Sequence, residues 1–106
     1  MVNRFDVYLV NLDANLSKDA KNTRPCVIVS PDEMNHNLQN VIVAPLSSTT
    51  VKYPTRIIVN FLNNERALVL DQVRTVDNAR LVKKIGEIDT TVRNEILNCL
   101  QEIFAE

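Results

Sequence analysis

Residues 5–12 read FDVYLVNL, and apolar side chains occupy both alternating sets of positions in this stretch. In a β-strand, Val7 and Leu9 would lie on one face. Tyr8 and Val10 would lie on the opposite face. A strand that is apolar on both faces is typical of a closed or sandwiched sheet. The stretch therefore predicts a fold built on a sheet with both faces covered.

Further short apolar segments follow, separated by polar turns. They are predicted as strands at residues 24–30, 40–46, 56–60, 66–70 and 81–88. The polar segment before the second strand, residues 13–23, is about as long as a functional loop. Asn63 and Asn64 are expected to form the turn between the fourth and fifth strands, because asparagine tolerates positive φ.

Helices are expected at two places. Ser30 would cap a single helical turn beginning at Pro31, with acidic residues in that turn. After Asp89, apolar residues recur at helical spacing, which predicts an amphipathic helix of about four turns capped by Asp89. These residues are Val92, Ile96, Leu100, Ile103 and Phe104. The sequence thus predicts one domain over residues 1–106, a mostly-β (α+β) fold in which a small barrel carries a C-terminal helix.

Composition excludes several classes of function. Lys and Arg number 12 against 13 Asp and Glu, so a surface that binds nucleic acid everywhere is not expected, and any anion site must be local. Gly86 is the one glycine in the chain. A glycine-rich phosphate loop of the Walker or dinucleotide type needs several such positions, so neither is expected.

Cysteine usage and hydropathy indicate the compartment. Cys26 and Cys99 are expected to be reduced core thiols, with a disulfide between them left open as the alternative. Neither a signal peptide nor an apolar run long enough to cross a membrane is evident. A cytoplasmic protein is the expectation.

Polar side chains collect where the predicted strands end, and a small barrel would bring them together. They are Asp19, Lys21, Arg24, Ser47, Ser48, Thr49, Thr50, Asp71, Gln72, Arg74, Thr75 and Asp77. Arg24 is of most interest, because the adjacent Pro25 would hold it rigidly at the start of a buried strand. An arginine grips phosphate oxygens bidentately and stabilises the extra charge of a pentavalent transition state. The pattern predicts a local phosphodiester site.

Structural alternatives remain open for these residues. Arg24 could pair with Asp13 or Asp71, and Ser47 could be an ordinary turn residue. Asp71 and Gln72 could form a buried polar pair that satisfies loop backbone.

Two further groups are weaker candidates. For Arg74 and Asp77, an ion pair that fixes the loop is favoured over catalysis. His36, the one histidine, has no evident orienting partner and is either simply exposed or a weak RNA contact. No spacing of His, Cys, Asp and Glu suggests a metal site.

Several segments, taken in order, resemble the MazF/PemK family of toxin endoribonucleases. They are DVYLVNLD (6–13), TRPCVIVS (23–30), NVIVAPLSS (40–48), YPTRIIV (53–59) and LVLDQVRTVDNARLVKKIG (68–86). The likeness runs from about residue 4 to the final helix, and the order and spacing of the segments carry it. The resemblance implies a cytoplasmic homodimer with an SH3-like barrel that cleaves single-stranded RNA at short sequences, without a metal or other cofactor. It also implies a cognate antitoxin whose flexible acidic segment lies across the RNA groove.

The resemblance assigns roles to individual residues. Arg24 and Ser47 would be catalytic, in an attack of the RNA's 2′-hydroxyl on phosphorus that leaves 2′,3′-cyclic phosphate and 5′-hydroxyl ends. Because a guanidinium is almost never deprotonated, stabilisation of charge is favoured over proton transfer for Arg24. The RNA-binding candidates are Asp19, Lys21, Thr23, Ser48, Asp71, Gln72 and Tyr53, with Tyr53, and beside it Phe5, as platforms for stacked bases.

The sequence departs from the family pattern at two places. Phe5 stands where the family commonly has the glycine of Arg-Gly-Asp. The first loop has Ser17-Lys18-Asp19 where Gly-Ser-Glu is common, and a stiffer loop could change the RNA that is accepted. Two alternatives therefore stay open, a CcdB-type toxin that binds gyrase and an inactive relative that only binds RNA or an antitoxin. The TRP and DQVRT segments favour the nuclease.

Overall fold

The computed structural model describes residues 1–12 and 23–105. In these ranges the chain forms the strands β1 (Asp6–Asn11), β2 (Thr23–Ile28), β3 (Asn40–Ser47), β4 (Arg56–Phe61), β5 (Asn64–Val69), β6 (Arg74–Asp77) and β7 (Leu81–Glu87). The helices are α1 (Asp32–Asn35) and α2 (Arg93–Ile103). The predicted mostly-β fold with a C-terminal helix is confirmed. The short strand β6 was not predicted, since its residues were assigned to the polar cluster.

The strands form one antiparallel sheet in the order β4-β5-β3-β2-β1-β7, with β6 paired to β3. The sheet curls into a half-barrel, so that its two edge strands approach each other. Phe61 of β4 lies so close to Gly86 of β7 that a Cβ atom at Gly86 would be 2.8 Å from the ring carbon Cε1. The one glycine therefore marks the place where the curled edges meet.

Both faces of the sheet are buried, as the pattern of residues 5–12 predicts. Val7 belongs to a large apolar cluster that also contains Ile96 of α2. Val10, on the opposite face of β1, belongs to a second cluster with Cys26 and Val43. Apart from Ile96, these side chains come from the central strands β1, β2 and β3. The central strands therefore bury apolar side chains on both of their faces.

The C-terminal helix is shorter than predicted. Asp89 does act as a cap, but its carboxylate accepts the Thr91 N–H of a 3₁₀ turn at Thr90–Val92 that precedes α2. The α-helix itself has 11 residues. Phe104 was predicted to lie on the apolar face, yet it follows the helix and its side chain is 72% exposed.

Two local predictions differ from the structure. The turn between β4 and β5 is made by Leu62 and Asn63, which have φ of 50° and 64°, so Asn64 already belongs to β5. The predicted helix-capping role of Ser30 was wrong. Its hydroxyl donates to the side chain of Asn35 and accepts the N–H of Ile42, which ties α1 to β3.

Both cysteines are free and buried, so the disulfide alternative is excluded. Cys26 lies in the second apolar cluster, whereas Cys99 lies in the first. Neither helix of the described ranges is long and apolar enough to cross a membrane.

Candidate active site

The register between β2 and β3 brings the two predicted catalytic residues together. Cys26 pairs with Pro45, and Ile28 pairs with Val43. The pairing of β2 with β3 ends at Cys26 and Pro45, because Leu46 and Ser47 pair with β5. Arg24 and Ser47 lie two residues beyond this last pair, on β2 and β3, and both line one groove.

This candidate active-site groove has a volume of about 460 Å³. Its polar lining comes from four strands, the residue that follows β3 and a 3₁₀ turn, and consists of Arg24, Ser47, Ser48, Arg56, Arg66 and Gln72. Leu12, Pro25, Pro45, Leu46 and Val69 form its apolar parts. Three guanidinium groups therefore surround one groove in a protein whose net charge is −1. The positive charge is local, as the composition required.

Arg24 is exposed, but its backbone is held on one side by β1, where it pairs with Val10. Within the described ranges, no carboxylate lies at ion-pair distance from its guanidinium. The alternative pairing with Asp71 is thus excluded, while Asp13 lies outside those ranges. Burial raises the pKa of the Cys26 thiol to about 12, and the positive charges of Arg74 and Arg24 act against that rise.

Ser47 is half-buried at the end of β3. Its Oγ accepts the backbone N–H of Thr49 at 3.1 Å, so the hydroxyl is oriented by the loop that follows. An accepted hydrogen bond leaves the hydroxyl proton available to donate to a ligand. Ser47 therefore both stabilises the turn that follows β3, as the alternative proposed, and lines the groove.

Asp71 and Gln72 lie on the 3₁₀ turn Leu70–Gln72 and are both exposed, so the buried polar pair is excluded. Asp71 accepts from Nε and Nη2 of Arg56, at 3.3 and 3.5 Å. This hydrogen bonding from Arg56 holds the pKa of the Asp71 carboxyl below its ordinary value. Gln72 lines the groove, whereas Asp71 fixes an arginine at its edge.

A family model described as PemK-like, MazF-like toxin of type II toxin-antitoxin system matches residues 3–104. The chain belongs to this family. The Endoribonuclease MazF of Staphylococcus epidermidis is 30% identical over 106 residues, which cover 94% of this chain and 88% of that protein. Family membership makes the protein a toxin endoribonuclease of a toxin–antitoxin system.

Solved structures of low identity share the MazF-like fold. An endoribonuclease in complex with its cognate antitoxin from a mycobacterial species has a TM-score of 0.81 at 21% identity, covering 96% of this chain and 93% of that chain. A MazE–MazF structure from Deinococcus radiodurans has a TM-score of 0.79 at 18% identity, covering 98% and 95%. At these identities, the structural similarities show the fold of this MazF-like toxin and not its activity.

The remaining predicted site residues of the MazF-like toxin are dispersed. Thr23 begins β2 and is half-buried, and Ser48 is exposed in the groove. Tyr53 lines an adjacent depression instead, with 62% of its surface exposed. Asp19 and Lys21, like the Ser17–Asp19 departure from the family pattern, lie outside the described ranges.

Other candidates serve different purposes. The Arg74–Asp77 ion pair was a wrong prediction, because the Asp77 carboxylate accepts the N–H of Ala79 and, among the described residues, Arg74 has no ion-pair partner. His36 does have a partner, as its Nε2 lies 2.8 Å from Oδ1 of Asn3. It does not line the groove.

Phe5 is not a platform for RNA bases, since it is 7% exposed and belongs to the core. The guanidinium of Arg93 covers its ring, with 5.0 Å between the guanidinium carbon and the ring centroid. This departure from the family pattern therefore affects the core rather than the groove. In the described ranges, no group of three or more His, Cys, Asp or Glu side chains could hold a metal ion.

Arg56 and Arg66 were missed as site residues. They occur in the segments RIIV and RALV, which were predicted as apolar strands with an arginine at the start of each. A charged residue at the head of each of two neighbouring strands was the available signal. Their meeting with Arg24 depends on the curl of the sheet, which the linear pattern does not specify.

Proposed function

We propose that this MazF-like toxin cleaves single-stranded RNA at short sequences without a metal ion. The RNA's own 2′-hydroxyl attacks the adjacent phosphorus, so the 2′-O–P bond forms and the P–O5′ bond breaks. The proton of the 2′-hydroxyl passes to a base, and the departing 5′-oxygen takes up a proton. The products carry a 2′,3′-cyclic phosphate and a 5′-hydroxyl. The observation that carries the proposal is that Arg24 and Ser47 line the same groove as two further arginines.

Arg24 stabilises the negative charge that develops on the pentavalent phosphorus. Its backbone is held by pairing with Val10 of β1, and a preorganised donor needs little reorganisation when the charge appears. The Ser47 hydroxyl, oriented by Thr49, donates to a non-bridging phosphate oxygen. Since a guanidinium stays protonated at neutral pH, Arg24 acts by its charge and not as a base.

Partners follow from the same groove. The mycobacterial and Deinococcus structures contain an antitoxin, MazE in the latter. We extend this to the present chain as a homodimer neutralised by a cognate antitoxin with an acidic segment. Such a segment competes with RNA for the three arginines of the groove, because both ligands are anionic. An enzyme with an mRNA substrate works in the cytoplasm.

The test is cleavage of a long single-stranded RNA in EDTA. Wild-type protein is compared with Arg24→Ala and with Lys83→Ala, a control that removes an exposed cation from β7. We expect discrete cuts by the wild type and by Lys83→Ala. Arg24→Ala should be slower by at least about a hundredfold, since loss of one transition-state donor has that effect.

Intact RNA after incubation with folded wild-type protein would contradict the proposal and favour a gyrase-binding or inactive toxin. Equal cleavage rates for wild type and Arg24→Ala would contradict the role assigned to Arg24 but not RNA cleavage itself. Folding of each variant is checked by circular dichroism.

A further inference from the structure

A second depression adjoins the candidate active site. It lies between residues 52–54, the start of β4 and α2, and we call it the helix-side depression. Two contiguous parts of about 510 and 330 Å³ share the lining residues Tyr53, Pro54, Arg56, Ile57 and Glu95. Arg56 also lines the active-site groove, so the two concavities meet at its side chain. A chain of RNA bound at Arg24 and Ser47 can continue across Arg56 into this depression.

Arg56 is held in a defined position between the two concavities. Its guanidinium carbon lies 5.5 Å from the centroid of the Tyr53 ring, and Asp71 accepts from its Nε and Nη2. A guanidinium has five N–H donors, so Nη1 remains available for a phosphate oxygen. Arg56 can therefore bind the phosphate that joins a nucleotide in the active-site groove to one in the helix-side depression.

Tyr53 provides the platform for a base in the depression. The residue is 62% exposed, so its ring is accessible to a ligand. Unpaired RNA bases stack on exposed aromatic rings, and the stacking itself tolerates any base. Selection of one base needs a polar group that reads the base edge.

Glu95 is the polar group that can read that edge. It is exposed in the first turn of α2, and among the described residues no cation is at ion-pair distance from its carboxylate. A carboxylate has two acceptor oxygens and no donor. Guanine is the base whose pairing edge offers two adjacent donors, N1–H and the N2 amino group. Adenine, cytosine and uracil would each direct an acceptor towards one of the carboxylate oxygens.

We propose that the helix-side depression is a nucleotide subsite that selects guanine beside the cleaved position. Tyr53 stacks on the base, Glu95 accepts from N1–H and N2, and Arg56 binds the intervening phosphate. The inference rests on the proposed function, in that RNA is the ligand, and deepens it by naming a base and the residues that recognise it.

Binding of uncleavable RNA tests the subsite separately from catalysis. The probes are 2′-O-methyl hexanucleotides of uridine with one guanosine moved along the chain, each matched by an analogue with inosine, which lacks the N2 amino group. Fluorescence anisotropy gives the dissociation constants for wild type, Glu95→Gln and Glu33→Gln. Glu33 is an exposed glutamate of α1 and serves as the matched control.

At one position of the guanosine along the probe, the wild type should bind the guanosine probe about tenfold more tightly than the inosine probe. The reason is that the charged Glu95 carboxylate loses the N2 amino donor when inosine replaces guanosine. Glu33→Gln should keep this ratio, and Glu95→Gln should reduce it to near one. The ratio is the readout because removal of any negative charge strengthens RNA binding in general.

The absence of a guanosine preference in every register, or its persistence in Glu95→Gln, would overturn the subsite. Failure of the proposed function would give a different pattern. Probes that bind with the expected ratio while natural RNA stays intact would refute cleavage and leave the subsite standing. Loss of all RNA binding would refute both.

Discussion

At the scale of single residues, Phe5 shows how this chain accommodates a departure from its family. Its φ is 74°, in the left-handed region that favours glycine. The ring is nevertheless buried, and Arg93 covers it while donating two hydrogen bonds to the Ile88 carbonyl, at 3.1 and 2.8 Å. Burial and the cation–π contact offset the backbone strain.

Two substitutions at Phe5 separate these effects. Phe5→Ala removes the ring and keeps a side chain at positive φ, and it should lower the free energy of unfolding by about 3–5 kcal/mol. Phe5→Gly removes the ring and also the strain, so its loss should be smaller by about 1 kcal/mol. Urea unfolding of the three proteins measures the difference. A glycine variant less stable than the alanine variant would contradict the account of strain.

At the scale of elements, the sequence predicted the strands from alternation and the groove from the strand ends. Arg24 and Ser47 were identifiable because a strand boundary fixes where a side chain emerges. Strand β6 was not, since RTVD contains one buried residue, Val76, and its pairing with β3 is a long-range contact. Arg56 was missed for a similar reason, because its place beside the groove depends on how far the sheet curls.

The contact between the edge strands gives a test of that curl. Gly86→Ala would place a methyl group 2.8 and 2.9 Å from two carbons of the Phe61 ring, so the edges of the half-barrel would have to separate. Overpacking of this kind should lower stability by about 1–3 kcal/mol. The thermal midpoint of Gly86→Ala should fall accordingly, and Phe61→Leu in the same chain should restore part of it. A Gly86→Ala variant as stable as the wild type would contradict the contact.

At the scale of the whole molecule, the local charge of the groove matters more for binding RNA than the net charge of the protein. The protein carries a net charge of −1, yet three arginines surround one groove. A protein of this kind should bind RNA through that groove and the depression that adjoins it, and an anionic antitoxin should exclude RNA from the groove. The arginines of β4 and β5 extend the positive surface beyond Arg24 and Ser47, the proposed catalytic pair.

Salt dependence measures how many of these charges bind phosphate. For single strands, the slope of log K against log salt changes by about 0.7 for each phosphate contact. Arg66→Ala should therefore make the slope shallower by about 0.7, while Lys83→Ala should leave it unchanged. Fluorescence anisotropy with uncleavable RNA between low and moderate salt gives both slopes. Equal slopes for wild type and Arg66→Ala would remove Arg66 from the RNA path.

The central claim is that RNA supplies its own nucleophile in a groove formed by Arg24 and Ser47. It is tested most directly with an RNA that contains a single 2′-deoxynucleotide on the 5′ side of a mapped cut, incubated with the protein in EDTA. The account predicts that this cut disappears while neighbouring cuts persist, and that mass spectrometry finds cyclic phosphate and 5′-hydroxyl ends on the other fragments. Continued cleavage at the deoxy position, or fragments with 5′-phosphate ends, would contradict it.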